Sequence, residues 1–154
     1  MNTAAQTVAA ESPRRVDQLL AHYGESHRHP TNEAIHCVAI PLIVFSLLGL
    51  LYALHPWVAY VFVALSIVYY VRLGSWTFLA AMVIASVGSL AILQAMGSWE
   101  LPVSVVVFVA AWIAQFVGHK IEGKKPSFFE DLQYLWVGPL FVLAKLFVKL
   151  GVRW

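Results

Sequence analysis

Apolar residues run through the middle of this chain in long stretches broken by very short polar interruptions. Residues 37–71, 73–99 and 101–118 contain no Asp, Glu, Lys or Arg. A run of roughly 18 or more apolar residues reads as a membrane-spanning helix. Breaks at His55-Pro56, at 72–75 and at 97–100 then predict four spans, at about 33–54, 57–71, 76–96 and 101–117. Turns this short make consecutive helices antiparallel neighbours. Pro41 lies inside the first span and should kink it, because proline lacks a donor and clashes with the preceding turn.

The flanks carry different patterns. Ser12-Pro13 looks like a helix start with proline at the first helical position. Val16, Leu19, Leu20 and Tyr23 follow at the spacing of one helical stripe, and Gly24 is a natural stop. This predicts an amphipathic helix over 12–24 lying on the membrane surface. Thr31 or Asn32 is the expected cap of the first span. Beyond the fourth span the chain turns polar, and Ser127 with Glu130 has the spacing of a capping box. An apolar stretch over 128–150 follows, broken at Gly138-Pro139 and interrupted by Lys145 and Lys149. It predicts a re-entrant or interfacial helical hairpin, with a fifth span as the alternative. The fold class expected is all-α: one integral membrane domain over 1–154, built on a four-helix transmembrane bundle.

Composition agrees. The chain is 60% hydrophobic and 12% charged, about half the charged fraction of a soluble domain. Mean hydropathy is +0.75. A formal charge of +2 is too small to imply nucleic-acid binding. The single cysteine, Cys37, cannot form an internal disulfide. Residues 1–11 lack a basic region followed by an apolar core, so no cleavable signal peptide is expected.

The distribution of charge fixes an orientation. With four spans, all ten Lys and Arg residues fall on one side. The opposite turns, at His55-Pro56 and 97–100, carry none. Basic residues concentrate on the cytoplasmic side, so both termini are expected there. A fifth span would carry Arg153 across. The sequence does not separate an endoplasmic reticulum membrane from a bacterial inner membrane, with the compact size and the absence of a retention signal leaning towards the bacterial one, and it says nothing of oligomeric state.

Five of the six histidines, His22, His27, His29, His36 and His119, then gather at or near the cytoplasmic face. Imidazole is the commonest ligand for transition metals. Residues 27–36 bring candidate ligands to one helix entrance, and Gln115, His119 and Glu122 bring more from the other end of the bundle. His119 and Glu122, three apart, share a face if the helix continues. Interfacial histidines are also common as solvated anchors, and both readings stand at this point. Trp57, Trp76 and Trp99 suit an interfacial belt. Ser66, Ser86 and Ser89 can bond their own helix backbone. No nucleophile elbow, phosphate loop or paired-cysteine site is present. A haem protein with axial histidines, and a non-enzymatic small transporter or assembly factor, are the competing classes.

Two polar segments carry a family resemblance. Tyr23-Gly24-Glu25-Ser26-His27-Arg28-His29-Pro30-Thr31-Asn32-Glu33-Ala34-Ile35-His36 is followed by Ile40-Pro41-Leu42. Later come Gln115-Phe116-Val117-Gly118-His119, Glu122-Gly123-Lys124-Lys125-Pro126-Ser127 and Gly138-Pro139-Leu140-Phe141. Together these resemble the membrane 2-hydroxy fatty acid dioxygenase family, over about 18–146. The resemblance implies an iron(II)-dependent enzyme of fatty acid α-oxidation. With O2 it would cleave a long-chain 2-hydroxy fatty acid to carbon dioxide and a fatty acid one carbon shorter. It assigns the catalytic and Fe2+-binding roles to His27, His36 and His119. His29 and Glu122 are further candidate ligands, and His29 stands where relatives carry asparagine. Asn32 and Gln115 would support the ligands from behind. Lys124, Lys125 and Arg28 would offset the substrate carboxylate, although the lysine pair departs from the family's glycine-arginine type of loop.

Overall fold

The computed structural model describes residues 13–25, 29–123 and 134–154, and among them every regular element is helical. The elements are α1 (Arg15–Glu25), α2 (Pro30–Leu54), α3 (Pro56–Val71), α4 (Trp76–Met96), α5 (Glu100–Glu122) and α6 (Val137–Leu150). One 3-10 turn, Gly97–Trp99, joins α4 to α5.

Several boundaries differ from the sequence expectation. α2 begins at Pro30 and is capped by His29, not by Thr31 or Asn32. The His29 backbone is extended and its Nδ1 accepts from the Thr31 N–H at 3.2 Å. The same device recurs at the other end, where His55 Nδ1 accepts from the Trp57 N–H at 3.2 Å and opens α3 at Pro56. In both, proline fills the first helical position, where a missing N–H costs nothing. α2 runs unbroken through Pro41 for 25 residues. α5 continues past 117 to Glu122 and stops at Gly123, whose φ of 76° is the left-handed conformation that ends a helix. His119 therefore lies inside the helix, not beyond it.

α2 and α5 form the central pair, and two glycines let them approach. A Cβ on Gly49 of α2 would strike the Ser104 hydroxyl, and one on Gly118 of α5 would strike Asn32 Oδ1. Small residues at such contacts let helix backbones come close where lipid offers no hydrophobic drive. α3 packs beside α2 and α4 beside α3.

The helical stretches Pro30–Leu54 and Trp76–Glu122 are each long and apolar enough to cross a membrane, and α3 is a shorter apolar helix. The second stretch doubles back at Gly97. Leu93 and Ser104 both lie within 3.0 Å of the position of a Cβ on Gly49, whereas eleven residues of straight helix would hold them about 16 Å apart. The start of α2, the end of α3, the start of α4 and the end of α5 thus share one end of the bundle.

α1 and α6 close that end. The stripe expected on α1 is real, but it faces protein: Val16 is fully buried in a cluster with Tyr70, Phe78, Leu140 and Phe147. α1 starts at Arg15, after Pro13, and passes through Gly24. In α6, Gly138-Pro139 sits in the first turn instead of breaking the helix. The first turn of α6 packs at depth, with Gly138 against Ile40. Just before it, Trp136 donates through Nε1 to Ser66 Oγ at 2.9 Å. The far end returns to the start of α4, where Thr77 Oγ1 donates to the Arg153 carbonyl at 3.3 Å. Lys145 pairs with Glu33 at 2.9 Å. The Ser127/Glu130 capping box lies outside the described residues.

Candidate functional site

His36 sits nearly two turns into α2 and His119 near the end of α5, and the antiparallel packing brings them together. His36 is completely buried and His119 nearly so. Their ring centroids are 4.9 Å apart with planes at 89°. The His36 Nδ1 lies 3.0 Å from the Asn32 carbonyl one turn earlier. A carbonyl only accepts, so Nδ1 carries the proton and Nε2 keeps its lone pair. This is the tautomer a metal-binding histidine held by its other nitrogen requires.

Asn32 and Glu122 form the layer behind the pair. Glu122 Oε2 accepts from the His29 backbone N–H at 2.8 Å and from Asn32 Nδ2 at 3.1 Å. The end of α5 is thereby tied to the first turn of α2. Asn32 is fully buried, and its Oδ1 abuts Gly118 with no hydrogen-bond partner among the described residues. Its amide is a spacer and a tether. Gln115, one turn before His119, is buried and its Oε1 has no partner among the described residues. It borders a small gap with Tyr23, Trp112 and Gly138.

Thus His36, His119, Asn32, Gln115 and Glu122 come together at one end of the bundle. His29 is beside them, with its Nδ1 engaged as a cap. His27, Arg28, Lys124 and Lys125 lie outside the described residues. His22 is an exposed side chain 3.6 Å from Glu25, and His55 caps the opposite end.

The donor set suits a divalent transition metal. Two imidazoles bound at about 2.1 Å to one ion, roughly at right angles or tetrahedrally, place their ring centroids about 4.5 to 5.5 Å apart. Axial imidazoles on opposite faces of a haem would be more than about 6 Å apart, so 4.9 Å fits a shared ion and not an intervening macrocycle. Among the described residues no three His, Cys, Asp or Glu side chains group closely enough to hold a metal.

Gly118 is a working part not expected from the sequence, although a glycine beside a motif histidine is a sign of close approach. The doubled His-Pro dipeptide was the available signal for the caps.

The fold and site define an apolar helical bundle with a buried histidine pair at one end. The chain belongs to the family described as 2-hydroxy-palmitic acid dioxygenase Mpo1-like, which matches residues 14–150. It is 29% identical over 138 residues to the 2-hydroxy-palmitic acid dioxygenase MPO1 of Saccharomyces cerevisiae (strain ATCC 204508 / S288c), an alignment covering 86% of this chain and 79% of that relative. No solved structure matches the chain. The family expected from the two polar segments is the one found.

Proposed function

We propose that the protein is an integral membrane, iron(II)-dependent dioxygenase that converts a long-chain 2-hydroxy fatty acid and O2 to carbon dioxide and a fatty acid one carbon shorter. The observation that carries this reading is the buried His36–His119 pair, which lies within the region matched by a family named for that activity.

The membrane setting rests on the outer faces of the helices. Leu65 on α3, Ile84 on α4 and Val106 on α5 are all largely exposed, with Trp76 and Trp99 at 81% and 70% marking the two ends. In water such continuous apolar surface would drive association. In a bilayer it is the solvated surface, and the tryptophans sit at the interfaces. We read α2 to α5 as four spans. α6, at 14 residues, is too short to cross (about 21 Å against about 30 Å of hydrocarbon) and is read as the inner arm of a re-entrant hairpin. The histidine end then faces the cytoplasm, where the basic residues lie.

The reaction balances without an outside reductant. The bond between C1 and C2 breaks, C1 leaves as carbon dioxide, C2 becomes the new carboxyl carbon, and one water forms. All electrons taken up by dioxygen come from those two carbons. Bound iron(II) would supply the open-shell centre that lets dioxygen react with a closed-shell acid. His36, His119 and either His27 or Glu122 would hold it. Asn32 fixes His36 through its carbonyl and Glu122 through its amide. Gln115 Oε1 is a buried acceptor suited to the proton of the C2 hydroxyl. Lys124, Lys125 and Arg28 would offset the carboxylate. Burial of the pair excludes bulk water from the reacting carbons.

The test is turnover. Purified protein supplied with iron(II) and air should convert 2-hydroxy-palmitic acid to the shortened acid and carbon dioxide in equal amounts. Oxygen uptake without shortened acid would contradict the proposal.

A further inference from the structure

An apolar cavity that the chemistry just described does not use lies farther along the bundle from the histidine pair. The cavity, about 200 Å³, lies between α2, α3, α4 and α6. Its α2 wall is Pro41, Val44, Phe45 and Leu48, a helical stripe that starts five residues after His36 and is turned by roughly 80–180° from it about the helix axis. From His36 to Leu48 is about 18 Å along the helix, more than half the thickness of a hydrocarbon core. The gap beside Gln115, about 20 Å³, shares Val44 and Leu135 with the cavity wall. It has room for roughly one water-sized group and borders Gln115, one turn before His119, so the two spaces form a wide chamber and a narrow throat that ends beside Gln115.

We infer that this chamber holds the hydrocarbon tail of the substrate, with the throat between Gln115 and Gly138 admitting it, and that Ser86 and Ser89 on the α4 wall set the chain length accepted. The inference rests on the dioxygenase reading. Three observations carry it. The lining is almost wholly apolar, which suits an alkyl chain and little else. Trp136, at the junction, is held by Ser66 at 2.9 Å and by Tyr70, whose hydroxyl donates to the Trp136 carbonyl at 3.2 Å, so the wall between throat and chamber is fixed. The larger groove on the outer side of α2 and α5, about 560 Å³ between Val38, Leu42 and Val106, shares no residue with the throat or the chamber. Its lining includes Ile35 and Ala114, the chain neighbours of His36 and Gln115, so a label on Val38 or Val106 would place the tail there instead.

The experiment uses the full-length protein in phosphatidylcholine vesicles and 2-hydroxy-palmitic acid carrying a diazirine at its terminal carbon. Light should attach the label to Leu48, Phe62 or their neighbours in the chamber, and unlabelled acid should suppress it. Ser89→Leu, with Ser86→Leu as a second variant, should cut the labelling several-fold. Either should also lower turnover of long acids relative to short ones by about tenfold, with iron content unchanged. Labels on the outward residues Leu65 or Ile84, labels that unlabelled acid does not displace, or an equal fall for all chain lengths would each overturn the assignment. Displaceable chamber labelling without turnover of any acid would count against the dioxygenase reading alone and leave the tail site standing.

Discussion

Gly118 of α5 lies flat against the amide of Asn32 on α2, with no room between them for a methyl group. His36 lies one turn beyond Asn32 and His119 directly follows Gly118, so the distance between the two backbones here sets how closely the imidazoles meet. Gly118→Ala adds a methyl that must push Asn32 or the helix aside. In an unhindered helix the same change stabilises by about 0.5–1 kcal/mol. Here overpacking should reverse the sign and cost about 1–3 kcal/mol, and the variant should lose iron. Gly88 on α4 is the matched control, because a Cβ there meets nothing within 4 Å. Gly88→Ala should be neutral or stabilising. Thermal unfolding in detergent compares the two.

Glu122 is engaged through one oxygen by both Asn32 and the His29 backbone. Glu122→Gln keeps an acceptor there and should lower iron affinity by about tenfold or less. Glu122→Ala removes the tether and should cost about 10–100-fold. Competition titration with a chelator measures both. Equal, total loss in the two variants would assign the charge itself to the metal.

α6 is fastened at depth by a hydrogen bond and near the surface by an ion pair, and the two should differ in strength. Trp136→Phe removes the donor to Ser66, which keeps its own bond to the Phe62 carbonyl at 2.8 Å. The cost should be about 1 kcal/mol. The Lys145–Glu33 pair is partly exposed, so Lys145→Met should change stability by well under about 1 kcal/mol. Denaturation of the two variants side by side gives the comparison.

The helices were legible because unbroken apolar runs set apart by short polar breaks report helical segments directly. The ends of the helices were harder to read. Hydropathy falls at His119-Lys120, yet α5 continues to Glu122 because the polar residues there have protein partners on α2. Pro30 looked like a break before a Thr or Asn cap, whereas a histidine cap puts proline at the helix start. The stripe on α1 showed which face is apolar but not what covers it, and α6 covers it instead of lipid. In the site, chemistry was readable as residue type, and His36 with His119 met as expected. The role of His29 was not, because a capping imidazole and a ligand imidazole look the same in sequence.

Four spans with both termini on one side make a direct labelling prediction. In a Cys37→Ala background, Arg72→Cys and Arg153→Cys should react with an impermeant maleimide from the cytoplasmic side only. Ser98→Cys should react from the opposite side only. Arg153→Cys reacting together with Ser98→Cys would make α6 a crossing helix.

The central claim is that two imidazoles from α2 and α5 grip one iron ion. Its most direct measurement is iron content after anaerobic purification with iron(II), for the wild type beside His36→Ala and His119→Ala. The wild type should retain iron and turn over 2-hydroxy-palmitic acid, and each single variant should lose both while keeping its helical content. Iron bound equally by all three proteins would contradict the account.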